Sequence, residues 1–227
     1  MKLKSCFHGL ATIALSIFLS LTLFNLPAKA FVTPEYEQLL STGSCVRCDL
    51  SGADLSNKNL HGSTLDGSNL SKANLSHTDL SDSLLNDTKF DEADLTEANL
   101  SGAFLEASTL TGANLTSANL SKSDLYNALM SKTKLMKANL TEADLTSVVL
   151  SDSDLSEVLG TNVKFRGGVL SRSNLSNANF SQSFLRNTRL SGATLKGTNL
   201  SEADLSNAVM PDGTTYNGDV SRFGAVQ

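Results

Sequence analysis

The residues best suited to covalent chemistry are two cysteines in the run Cys45-Val46-Arg47-Cys48. A pair at this spacing can cycle between dithiol and disulfide when a helix N-terminus or a nearby cation depresses one thiol pKa. No helix signal follows Cys48, so nothing evident in the sequence favours a thiolate. A structural disulfide, or two plain apolar fillers, are the alternative readings, because both cysteines fall on inward slots of a periodic array that begins here. His61 and His77 fall in outward slots far along that array. Two cysteines without them are too few for zinc, and no Ser-His-acid grouping arises by position. The expectation is a protein with no enzymatic activity, no cofactor and no metal.

The array sets what can be positioned. Every multiple of five from Leu50 to Met210 carries Leu, Phe or Met, with Gly160 the single exception. Two places earlier stands a small residue, as at Ala53, Ser63, Ala73, Thr78, Ala93, Ala113 and Ala208, and the remaining slots are mostly Ser, Thr, Asn, Asp, Lys and Glu. One large and one small inward residue per five fits neither a helix of period 3.6 nor a strand of period 2.0. Self-similarity at so short a period marks a solenoid, whose units bury an apolar face only by stacking.

The quintets Ala53-Asp54-Leu55-Ser56-Asn57, Ala73-Asn74-Leu75-Ser76-His77, Ala93-Asp94-Leu95-Thr96-Glu97, Ala113-Asn114-Leu115-Thr116-Ser117 and Ala203-Asp204-Leu205-Ser206-Asn207 carry a resemblance. The chain resembles the pentapeptide-repeat proteins over about residues 46 to 210. The resemblance implies an all-β fold, a right-handed quadrilateral β-helix in which four quintets form the sides of each square coil. With coils one strand spacing apart, the array would make about eight coils and a rod of roughly 40 Å. Burying each central Leu would contribute roughly 1.5 to 3 kcal/mol. Some members of the family that confer quinolone resistance imitate duplex DNA and bind gyrase as dimers. Here basic residues are spread among the acids, which argues against that role.

Residues 1 to 30 read as a secretory signal: Lys2 and Lys4, an apolar stretch from Ala11 to Phe24, then Pro27-Ala28-Lys29-Ala30 with cleavage after Ala30. A retained membrane anchor is the alternative, but the apolar run is shorter than the roughly 20 residues of a bilayer span. Loss of Lys2, Lys4 and Lys29 moves the formal charge from -5 to -8, which argues against binding nucleic acid or anionic lipid through bulk charge. Signal-bearing members of the family are similar to proteins of cyanobacteria and plastids, so the resemblance implies periplasm or thylakoid lumen, with secretion as the wider possibility.

The domain reading is a signal at 1–30, a capping helix and turn at 31–45, the repeat rod at 46–210 and a loose cap or tail at 211–227. Thr33 reads as an N-cap, Pro34 as first turn and Gly43 as the stop. Leu39 and Leu40 are expected to plug the first coil. Lys58 in a small slot implies a snorkelling stem. At Gly160 a local bulge is expected, with Leu159 turning in to fill the gap, and Val148, Val158, Val163 and Gly168 predict a change of interior shape.

Sorted at intervals of 20, the outward slots form four sides. Two read as ordinary wall: Asn59, Asp79, Asn99, Asn119 and Asn139, and Asp54, Asn74, Asp94 and Asn114. The other two carry Leu84, Phe104, Tyr126, Lys164, Arg166, Phe184 and Arg186, and Leu129, Val149 and Val169. Aromatic and arginine side chains on an exposed wall suit binding of a protein partner; singly scattered apolar residues on a tolerant wall are the plain alternative.

Overall fold

The computed structural model describes residues 33–226; the segment read as a signal lies outside the described residues. From Ser44 onward, single residues pair in parallel with the residue 20 places ahead: Asp54 with Asn74, Asn74 with Asp94, Asp94 with Asn114. The interval is four quintets, so each quintet stands over its counterpart and each circuit of the chain has four corners.

The quintet around Leu75 shows why five residues suffice. Leu75 N–H donates to the Asp94 carbonyl (2.7 Å), Asn74 N–H to Ala53 (2.9 Å), His77 N–H to Thr96 (2.9 Å), and Thr78 N–H closes the turn on Leu75 (3.1 Å). The fifth amide, of Ser76, finds no backbone acceptor and donates instead to Asn74 Oδ1 at 3.2 Å. Every amide is thereby satisfied, as buried backbone requires.

The corner demands a left-handed residue. His77 has φ 57°, Lys132 61° and Glu142 62°, and the equivalent residue of every quintet from Arg47 to Asn207 has positive φ. A turn with φ > 0 at its third residue favours glycine or asparagine, and other residues pay about 1–2 kcal/mol. Stacked corners recover part of this through side chains 20 apart, as in the Lys72–Glu92, His77–Glu97, Lys137–Glu157 and Arg172–Asp152 pairs.

Inside, the central side chains from Leu50 to Met210 are at most 4 % exposed. The small slot beside them takes Ala, or a Ser or Thr whose hydroxyl donates to the coil before: Thr78 to the Leu55 carbonyl (2.7 Å) and Thr188 to that of Phe165 (3.0 Å). Ser108 Oγ, among the described residues, is buried without such a partner. Lys58, in the same slot on an early coil, is half-buried.

The bulge expected at Gly160 is absent. Leu159 bridges Asn139 and Asn179 in regular register and stays 56 % exposed. The space over Gly160 is filled from the next coil: a Cβ there would lie 2.5 Å from Phe180 Cε1 and 3.2 Å from Val163 Cγ2. Phe180 meets Phe165 edge-on, with centroids 5.3 Å apart and planes at 82°, the geometry favoured by the ring quadrupole. Val148, Val158 and Val163 are fully buried around the same stretch.

Both ends are covered. Helix α1, Pro34–Thr42, is capped by Thr33, whose Oγ1 accepts from Tyr36 N–H at 3.2 Å, and stops at Gly43 with φ 70°. Leu39 is buried against the first coil, but Leu40, expected beside it, is exposed, because successive helical residues point about 100° apart and one cannot follow the other inward. Tyr36 lies over the same end and donates its hydroxyl to the Asp54 carbonyl at 3.2 Å. The C-terminal segment is not loose. Thr215 pairs antiparallel with Val209, and Val226 pairs in parallel with Asn199, donating to the Thr198 carbonyl and accepting from Leu200 N–H. Val220 and Ala225 are buried in the process. The exposed edge of the last coil, an aggregation liability if left open, is thus paired on its Asn199 and Val209 sides.

Shared occupancy of the space at Gly160 has a measurable signature. Phe180→Leu is expected to cost about 1–2 kcal/mol by leaving a void, and Gly160→Ala about 1–3 kcal/mol by clashing with the ring. In the double variant the costs should fall short of their sum by at least about 1 kcal/mol in urea denaturation. Additive costs would show that ring and glycine do not share the space.

Candidate functional site

The outward slot before each central residue serves the backbone first. Asn99 Oδ1 accepts from Ser101 N–H at 3.2 Å, and Asp54 Oδ1 from Ser56 N–H at 3.2 Å. The asparagines also join coil to coil: Asn99 Nδ2 donates to Asp79, Asn119 to Asn99 and Asn139 to Asn119 at 3.0 to 3.2 Å. The run then stops at Leu159 and resumes with Asn199 donating to Asn179 at 3.0 Å. These sides are structural wall.

Several acids in this slot titrate low. The Ser56 hydroxyl and then its amide hold the Asp54 carboxyl below the ordinary range, and the Ser81 and Ser206 hydroxyls do the same for Asp79 and Asp204. For Asp144 burial pushes upward, but the Thr146 hydroxyl and amide together with Lys164 outweigh it. Such carboxylates stabilise the fold while ionised.

On the remaining two sides the slot is often given up. Leu84, Phe104 and Phe184 occupy it on one side, and Leu129, Val149 and Val169 on the next. None of these can accept from the corner amide, so each forgoes a bond typically worth about 1 kcal/mol. The same amides turn elsewhere in places: Glu106 N–H donates to Asn86 Oδ1 at 3.0 Å, one coil away.

The Leu129 side holds a continuous apolar run, Leu129 to Val149 to Val169 in bridged succession. Leu129 is exposed and the two valines are half-buried. Tyr126 stands on the same coil as Leu129, across the corner at Asn127, and is exposed. On the Phe104 side Leu84 and Phe104 are adjacent, but Phe184 is separated from them by Asp124, Asp144 and Lys164. The Lys164 ammonium sits 3.1 Å from Asp144. Arg166 and Arg186 stack one coil apart at the edge of this side and are exposed. Among the described residues neither holds an ion pair, unlike Arg172 on Asp152.

Five exposed large apolar residues among the described residues lie outside the set singled out from sequence: Leu40, Val46 and Val226 toward the ends, and Leu159 and Met136 on the rod wall. Leu159 was read as a filler and points outward, and Met136 stands 36 % exposed beside Lys134. Interruption of an otherwise polar column was the available signal for Leu159.

Cys45 and Cys48 lie side by side with Cα atoms 5.5 Å apart, and their sulfurs are within bonding reach. Cys45 is fully buried and follows the C-terminal end of α1. A helix C-terminus carries negative partial charge, which disfavours a thiolate. No group of three or more His, Cys, Asp or Glu among the described residues converges on a metal site, and none of the described helices is long and apolar enough to cross a membrane.

Comparison with known proteins follows the same architecture. A family model described as pentapeptide repeats matches in eight copies, over residues 44–82, 73–112, 88–127, 123–159, 138–177 and 173–210. Among solved structures the chain is similar to HetL, a pentapeptide repeat protein involved in heterocyst differentiation regulation from the cyanobacterium Nostoc sp. strain PCC 7120, at 25% identity over 81% of this chain and 99% of that one, TM-score 0.35. It is also similar to a pentapeptide repeat protein from the Arabidopsis thaliana thylakoid lumen, at 32% identity over 53% of this chain and 77% of that one, TM-score 0.23. QnrB1, a plasmid-mediated fluoroquinolone resistance protein, matches at 14% identity over 81% of this chain and 90% of that one, TM-score 0.42. No curated protein matches.

Restoring the interrupted ladder is expected to stabilise the rod. Leu159→Asn should link Asn139 to Asn179 and cap the Thr161 amide, raising stability by about 1 kcal/mol; a melting temperature at or below that of the parent would count against the account of the asparagine column. Acid should act in the opposite sense. Carboxyls whose folded pKa lies below the unfolded value of about 3.9 contribute fully above that value, and the contribution is lost as pH falls through the folded pKa. The denaturation midpoint should therefore stay level from about pH 7 to 5 and fall below about pH 4, a profile that Asp54→Asn and Asp79→Asn together should flatten.

Proposed function

Because this chain belongs to the pentapeptide-repeat family, with the family model matching from residue 44 to residue 210, we propose that it is a noncatalytic, exported binding module that docks a protein partner on its Phe104 and Leu129 sides. Pentapeptide-repeat proteins fold as right-handed quadrilateral β-helices. The 20-residue ladder and the four corners per circuit support the same form here. In such a rod the recurring residues are occupied by construction, and only departures from the pattern are available to a ligand.

The observation that carries the reading is where the departures fall. Leucine, valine and phenylalanine replace the amide-capping Asn or Asp mainly on two adjacent sides, next to Arg166 and Arg186, which hold no ion pair within 4 Å among the described residues. Aromatic and arginine side chains dominate binding energy at protein interfaces. Export to a periplasm or thylakoid lumen is supported by the signal-like first 30 residues and by the two remaining cysteines. In an oxidising compartment Cys45 and Cys48 form a structural disulfide that closes the first corner of the rod, around Arg47. Closing so short a loop contributes about 2 kcal/mol on the chain-entropy account.

Capture of partners from the native host tests the docking sides. Phe104→Ala combined with Arg186→Ala should lower recovery of at least one partner by tenfold or more, since loss of a central anchor costs about 2 kcal/mol. Recovery unchanged for every partner, with the variant folded by circular dichroism, would overturn the assignment.

A further inference from the structure

The Phe104 side is complementary to itself. Its two outward columns are Leu84, Phe104, Asp124, Asp144, Lys164, Phe184 and Asp204 in the slot before each centre, and Asn86, Glu106, Tyr126, Thr146, Arg166, Arg186 and Ser206 in the slot after. Bridges at intervals of 20 stack each column straight along the rod. A twofold axis lying in the plane of the side and across the rod keeps each column opposite itself while reversing the order of the coils.

With that axis at the level of Asp144 and Thr146, four pairs of charged or aromatic groups meet their complements, while Asp204 faces the partner's Leu84. Phe104 faces the partner's Phe184, Asp124 faces the partner's Lys164, Glu106 faces the partner's Arg186, and Tyr126 faces the partner's Arg166. Each of these pairs is centred on residue 144 or 146, and each occurs twice by symmetry. Phe104 and Phe184 are 47 % and 51 % exposed, so rings of both copies are free to stack. A guanidinium over the Tyr126 ring is a favourable cation–π contact. At the axis Asp144 faces its own copy, but each carboxylate already has the Lys164 ammonium of its own chain at 3.1 Å.

Other arrangements lose this match. Moving the axis by half a coil sets Asp124 against the partner's Asp144 and Phe104 against the partner's Lys164. A parallel pairing, about an axis along the rod, crosses the two columns and sets Lys164 against the partner's Arg166 and Phe104 against the partner's Glu106. Electrostatic complementarity fixes register in this way and suppresses wrong alignments.

We infer that this side is the interface of an antiparallel homodimer, its occupant being a second copy of the chain. The inference rests on the reading of the Phe104 side as a docking surface and names its partner. The run of seven bridged coils measures roughly 35 Å, and three extended residues give a side about 10 Å wide. The covered area of about 350 Å² per copy, about 700 Å² in all, is less than half that of a standard specific interface, so the dimer is weak and concentration-dependent. The apolar run Leu129–Val149–Val169 stays on the neighbouring side, outside the contact.

Sedimentation velocity of the purified chain from micromolar to near-millimolar concentration tests the inference. The expected result is a shift from monomer to dimer mass. Glu106→Arg and Arg186→Glu should each weaken the dimer at least tenfold by setting like charges opposite, with the fold intact by circular dichroism. The double variant exchanges the two charges and should recover the parental dimer, which a nonspecific association would not do. A monomer at every concentration, or a dimer indifferent to both single changes, would overturn the inference. A monomer that still captures another protein through Phe104 overturns the homodimer alone and leaves the docking side standing.

Discussion

Each quintet of this rod has one backbone amide that the coil cannot satisfy. Four of its five N–H groups are taken by the neighbouring coils and by the turn, as around Leu75, and the fifth points outward at the corner. An asparagine or aspartate in the slot before the centre accepts it, and an asparagine there can also donate to the next coil. This requirement explains why the wall is written in Asn and Asp and why serine and threonine follow them. It also gives the exceptions meaning, because a phenylalanine or valine in that slot cannot accept from the amide, which must turn elsewhere, as Glu106 N–H does to Asn86. In a chain whose core is nearly uniform, such exceptions are where selection for something other than folding is visible.

The large features were legible because they are periodic. A Leu every fifth residue places its side chain on the axis whatever lies between, and all of the central side chains are buried. The errors arose where the deciding partner sat elsewhere. Sequence adjacency points to Leu159 as the filler at Gly160, whereas the ring that fills the space belongs to Phe180, 20 residues on. The information was present, since an aromatic stood over the missing side chain in the same column, but only the stacking interval connects the two. Leu40 faces outward because a helix presents one stripe inward, and Leu39 already occupies it. The C-terminal segment has no periodicity to read, and its order comes from backbone pairing with Thr198, Leu200 and Val209, which composition does not encode.

The candidate site was legible to the same degree and for the same reason. Sorting outward residues at intervals of 20 gathered Leu129, Val149 and Val169 into one run, and the bridges place them in succession. The same sorting sets Asp124, Asp144 and Lys164 between Phe104 and Phe184, but it does not show the direct ion pair that joins Lys164 to Asp144. A list of residues on a side is weaker than their order along it, because charge pairs and apolar neighbours are properties of adjacent coils.

The 20-residue interval also governs how such a chain can change length. Deleting or duplicating one quintet would preserve the leucine stack and leave the backbone ladder intact, yet it would rotate everything downstream by a quarter turn. Phe184, Arg186 and the arginine above them would then emerge on a different wall from Phe104, although every individual unit remained well formed. Only whole circuits can be gained or lost without scrambling the surface. The scaffold therefore tolerates length variation far more readily than the surface does, and the two are separated by nothing more than arithmetic modulo four units.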